Sequence, residues 1–138
     1  MNQDLLISCH TTSANIEFTS RCNLKCIYCS RVREDYVCKD INSEILDKLI
    51  AQLQIRRVEF VAVNGHGETT IRKDWQKYCD KFLALEIPLQ ITTNFSRIFS
   101  ADEMATLTRF RRIVISVDCS DPILFKKIRC GADLSRPR

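Results

Sequence analysis

Glycine and proline are scarce in this sequence, three of each in 138 residues, and tryptophan occurs once. So little glycine and proline excludes a collagen-like chain or an extended linker. Long hydrophobic runs are missing too. Stretches such as Val61-Ala62-Val63 and Ile113-Val114-Ile115 fall far short of the ~18 apolar residues that a membrane-spanning helix needs, so no membrane association is expected. The three-residue apolar stretch Leu5-Leu6-Ile7 has no basic region before it, which argues against a secretory signal and for a cytoplasmic protein.

What is present is a globular composition. Hydrophobic residues make up 45% of the chain, enough for the core of one domain spanning residues 1–138. The net charge is +4, but it is uneven: residues 1–108 carry 13 basic and 14 acidic side chains, residues 109–138 carry 8 and 3. A nucleic-acid binder would spread cations along a face and interleave aromatics. Neither pattern is visible, and nucleic-acid binding is not expected.

Eight cysteines would suggest disulfides in a secreted chain; without a secretory signal they point to a metal, a cluster or buried free thiols. Cys22, Cys26 and Cys29 are bunched, whereas Cys9, Cys38, Cys79, Cys119 and Cys130 are scattered.

Four short, β-branched segments read as buried strands: Ala14 to Phe18, Val58 to Val63, Leu89 to Thr93 and Ile113 to Val117. Helical patterns separate them. The first runs from Ser43 to Gln54 behind an Asn42/Ser43 cap, with one stripe formed by Ile45, Leu46, Leu49, Ile50 and Leu53. The second runs from about Lys73 to Leu85 and places Cys79 on its apolar face, where core packing is expected. Ser100-Ala101-Asp102-Glu103 opens the third as a capping box. Asp121-Pro122 opens the fourth, which is expected to stop at Gly131. Strict β-α alternation argues for parallel strands in an α/β fold, barrel-like or doubly wound.

The longest connection, residues 19–41, follows the first strand and contains the clustered cysteines. Loops at the C-terminal ends of parallel strands build active sites in such folds. Cys22-Asn23-Leu24-Lys25-Cys26-Ile27-Tyr28-Cys29 has the form C-x3-C-x2-C. Three thiolates on a four-iron cluster leave one iron open to a substrate or cofactor, whereas fully ligated clusters take four cysteines. The alternative is structural zinc, which favours closed tetrahedral shells and would need Cys38 or His10 to complete it. Spacing favours the cluster and leaves zinc open.

This loop resembles that of the radical S-adenosylmethionine (SAM) superfamily, in which C-x3-C-x-aromatic-C follows the first strand of a partial (βα) TIM-like barrel. The resemblance continues along the chain. Val63-Asn64-Gly65-His66-Gly67-Glu68 stands where the family has a glycine-glutamate turn for the amino group of SAM. Thr92-Thr93-Asn94 looks like the family's T-N turn, and Ser116-Val117-Asp118 like its S-x-D segment. The resemblance implies a 4Fe-4S cluster on Cys22, Cys26 and Cys29. It implies SAM contacts from Tyr28, Gly65, Gly67, Glu68, Thr92, Asn94, Ser116 and Asp118. Turn-forming and capping roles are the ordinary alternative for the polar residues, and His66 reads as a turn residue or as a substrate or cofactor contact.

The implied activity is reductive cleavage of SAM to a 5′-deoxyadenosyl radical that abstracts hydrogen from an unidentified substrate. An electron donor such as flavodoxin or ferredoxin is implied as partner. The family core has six βα units, and at ~30 residues per unit this chain accommodates about four. The sheet is therefore expected to end on an open edge, suited to a second copy or a partner chain. A catalytically silent cluster- or SAM-binding module and a structural zinc protein stay open as alternatives.

Overall fold

The computed structural model describes residues 12–134. Cys9 and His10, and the tail beyond Leu134, lie outside the described residues. The chain order is β1 (Ser13–Asn15), β2 (Lys25–Cys26), α1 (Ser43–Arg56), β3 (Phe60–Ala62), α2 (Trp75–Ala84), β4 (Leu89–Thr93), α3 (Ala101–Thr108), β5 (Arg112–Ile115), α4 (Pro122–Ile128) and β6 (Arg129–Cys130). Strands β1, β3, β4 and β5 form a parallel sheet in that order. The α/β class and the four βα units agree with the sequence reading.

Helices α1, α3 and α4 each start where a side chain offers an acceptor to the free N-H groups of the first turn. Asn42 accepts from the backbone of Glu44 and Ile45 at 2.8 and 3.3 Å. Ser100 and Glu103 form the reciprocal capping box. Asp121 accepts from Leu124 N at 2.7 Å, with Pro122 in the first turn.

The main core lies between the sheet and the helices. It joins Ile16 and Phe18 to Val61 and Val63, to Leu89 and Ile91, and to the buried faces of α1 and α2, including Leu46, Trp75, Tyr78 and Phe82. Cys79 is fully buried within it, in the core position expected. A second cluster joins Leu24 and Cys26 to Phe125 and Ala132, with Cys22, Cys29 and Cys119 packed against it. It ties the cysteine loop to α4.

Two differences from the sequence expectations bear on the site. The first strand spans only Ser13–Asn15; past it Ile16 N still donates to the Ala62 carbonyl at 2.8 Å, and the Glu17 side chain bonds the loop after β3. Helix α4 ends at Ile128 and does not reach Gly131. Residues Arg129–Cys130 leave the helix to pair antiparallel with Lys25–Cys26, and Gly131 follows at φ +101°. A non-local ladder thus outcompetes a further half turn of helix, and helical periodicity alone cannot register it. Strand β5 closes the sheet on one side, with Ile113, Val114 and Ile115 exposed.

Candidate active site

The C-terminal ends of the parallel strands converge on one cleft of about 490 Å³. Its walls include all three clustered cysteines, Tyr28, Gly65, His66, Gly67, Glu68, Thr92, Asn94 and Ser116. Of the cluster and SAM residues that the resemblance implies, Asp118 alone is not part of the lining. Its carboxylate pairs with Arg129 and accepts from the Tyr28 hydroxyl at 3.3 Å, two residues that do line the cleft.

The cysteine loop is held from several directions. Arg31 donates from Nε to the Ser20 carbonyl at 2.6 Å and from Nη1 to the Leu24 carbonyl at 3.3 Å, bridging both sides of Cys22. Thr19 and Arg21 both bond Asp40, which closes the base of the long connection. The thiols of the loop are free. Cys22 Sγ receives Leu24 N at 3.4 Å and Asn94 Nδ2 at 3.5 Å, donors suited to a thiolate. Burial pushes the Cys26 thiol up from its ordinary value, and the Arg129 charge opposes that rise.

The turn after β3 packs against the start of the cysteine loop. A side chain on Gly67 would sit on the backbone of residues 19–21, 2.6 Å from the Arg21 carbonyl oxygen. One on Gly65 would meet the Glu17 side chain, 2.7 Å from its Cγ. The glycines therefore let this turn press against the start of the cysteine loop. Glu68 N donates to the Arg21 carbonyl at 2.7 Å, and Glu17 Oε1 accepts from His66 N and Gly67 N at 2.5 and 2.9 Å. His66 Nδ1 lies 3.2 Å from Ser30 Oγ.

Glu68 is 3% exposed. Its Oε1 accepts from Thr70 N, Thr70 Oγ1 and Thr93 Oγ1 at 3.3, 2.7 and 2.8 Å, and its Oε2 from Asn94 N at 2.8 Å. One carboxylate thus locks the ends of β3 and β4 together and orients Asn94, whose Nδ2 reaches Cys22. Sequence reasoning missed Glu17, Arg31 and Arg129. Their contacts span from 7 to 103 residues of sequence, beyond any local spacing rule.

Among the described residues no three His, Cys, Asp or Glu side chains group to hold a metal ion. That does not favour structural zinc. A four-iron cube is held at its corners, so its thiolates stand farther apart than the ligands of a single ion. Three free thiols on one cleft, with hydrogen-bond donors at Cys22 and a guanidinium beside Cys26, fit such a cluster.

The radical SAM superfamily model matches residues 16–136. The chain belongs to the radical SAM superfamily. Membership supports a 4Fe-4S cluster and SAM as its cofactors. Among curated relatives, the GTP 3′,8-cyclase of Rhizobium etli is 30% identical over 132 residues, covering 91% of this chain and 37% of that protein. The probable GTP 3′,8-cyclase of Thermococcus kodakarensis is 26% identical, covering 85% and 38%. This chain therefore spans less than two-fifths of the length of these two relatives. Streptococcus suis SuiB bound to S-adenosylmethionine superposes with a TM-score of 0.70 at 25% identity, over 88% of this chain and 28% of SuiB. BtrN in complex with AdoMet and 2-DOIA, at 17% identity and TM-score 0.67 over 80% of this chain and 47% of BtrN, shares the fold. No helix among the described residues is long and apolar enough to cross a membrane.

Proposed function

We propose that this chain, acting as one domain, holds a 4Fe-4S cluster on Cys22, Cys26 and Cys29 and binds SAM in the same cleft. The carrying observation is that three free thiols and the ends of β3, β4 and β5 open on a single cavity. When bound, the cluster and SAM supply reductive cleavage of the sulfonium and a 5′-deoxyadenosyl radical that abstracts hydrogen.

The protein's own contribution is positioning and shelter from water. Gly65 and Gly67 offer backbone close to the cysteine loop. Thr92, Asn94 and Ser116 offer hydroxyl and amide groups for a ribose or amino-acid end, and Tyr28 a ring. Glu68 serves the site through the turn and the Asn94 amide, since four donors already occupy its oxygens. Asp118 serves through Arg129 and Tyr28. An external one-electron donor such as flavodoxin or ferredoxin supplies the electron, and a second copy or a partner chain covers the exposed β5 edge. The relatives' names make GTP the first substrate to assay.

The test is anaerobic reconstitution with iron and sulfide, then dithionite and SAM, with 5′-deoxyadenosine measured by mass spectrometry. Formation of 5′-deoxyadenosine, lost in Cys26→Ala, supports the reading. A fully loaded cluster that yields none would make the chain a silent module, and zinc without sulfide after anaerobic purification would make it a zinc protein.

A further inference from the structure

Arg129 stands directly opposite Cys26 in the β2–β6 ladder. Side chains of directly opposed residues lie on the same face of an antiparallel pair, with Cβ atoms about 4.5–5.5 Å apart, and both residues line the same cleft. The arginine is 9% exposed. Asp118 holds its guanidinium from one side, bonding both Nε and Nη2. The ring of Tyr28, next to Cys29, lies against it with Cζ 5.7 Å from the centroid. The Tyr28 hydroxyl bonds the same carboxylate, which ties the two holds together. A cation fixed this way is always charged, and its burial leaves its field less screened than that of a surface arginine.

We infer that Arg129 is a positioning residue for the cluster's charge, a fixed cation beside Cys26 that raises the cluster's reduction potential. The inference rests on the reading that Cys22, Cys26 and Cys29 hold the cluster. Reduction adds one electron from an external donor, breaks no bond and needs no proton. It adds negative charge to a group already bound by three thiolates, so a neighbouring cation stabilises the reduced form more than the oxidised one. Asp118 attenuates that effect while it holds the arginine in place. Removing the cation and removing its counter-charge should therefore move the potential in opposite directions, which a general loosening of the loop would not do.

The experiment is a dithionite titration of the reconstituted full chain without SAM, followed by EPR. Arg129→Gln should disfavour reduction by about tenfold or more, which is ~59 mV for a one-electron couple. Arg129→Lys should stay closer to the parent, and Asp118→Asn should shift the other way. Unchanged potentials in loaded Arg129→Gln and Asp118→Asn, or shifts of the same sign in both, overturn the proposal. If Arg129→Gln does not take up iron, Asp118→Asn decides alone: a higher potential supports the inference, and an unchanged or lower one refutes it. Failure of the underlying cluster reading is distinguishable, since the parent chain would then bind no iron and sulfide.

Discussion

Replacing Glu68 by glutamine keeps the side chain's shape and removes one acceptor. Oε1 serves three donors, from Thr70 and Thr93, and Oε2 serves only Asn94 N. The amide carbonyl will settle where three donors converge, which leaves the new NH2 facing the Asn94 N-H. A hydrogen bond to a charged group contributes about 1.5–3 kcal/mol. Losing the one to Asn94 costs that much, less what is recovered by no longer burying a charge, so about 2 kcal/mol net. At roughly 4 °C per kcal/mol for a domain of this size, thermal unfolding should fall by about 8 °C. Hydrogen exchange at the Asn94 amide should quicken roughly 30-fold, since 1.4 kcal/mol is tenfold in an opening equilibrium. Iron content should hold, because no thiolate is removed, while SAM affinity drops as Asn94 loses its anchor. An unchanged melting temperature together with unchanged exchange at Asn94 would refute the idea that this carboxylate joins the two strand ends.

Gly67→Ala should cost more than an ordinary turn substitution, about 1–3 kcal/mol, because the added methyl meets backbone at residues 19–21; a calorimetric melt within a degree of the parent would contradict this. Cys79→Ala should keep full iron content, since this thiol is fully buried in the main core and its pKa is driven well up by that burial; loss of iron on reconstitution would count against the three-cysteine assignment. Glu103, held down to about 2 by the Arg97 side chain and then by the Ser100 backbone and Trp75, has a folded pKa below its unfolded value. Its stabilisation is therefore complete above about pH 4.5 and is lost as pH falls toward 2, and urea melts of Glu103→Gln should lack that part of the acid sensitivity.

Much of the fold was legible because its signals are local. The capping box at Ser100, the Asn42 cap and the strand at Leu89 to Thr93 each lie within one element, and all appear in place. The cysteine loop was legible because its spacing is itself chemical information. What stayed hidden depends on contacts across the chain. The missing side chain of Gly67 makes room for the backbone at Thr19 and Arg21, a contact that no local spacing shows. Asp118 is paired with Arg129, eleven residues further along the chain. The end of α4 was set by a two-residue ladder to the cysteine loop, too short to leave a pattern.

The most direct test of the account is metal and sulfide analysis of the anaerobically reconstituted chain, paired with EPR of its reduced form before and after SAM. The account predicts iron and sulfide in equal amounts, a reduced-cluster signal that changes when SAM is added, and loss of both iron and signal when Cys22, Cys26 or Cys29 is replaced by alanine. Zinc without sulfide, full iron retention in any one of those three variants, or a reduced signal indifferent to SAM would contradict it.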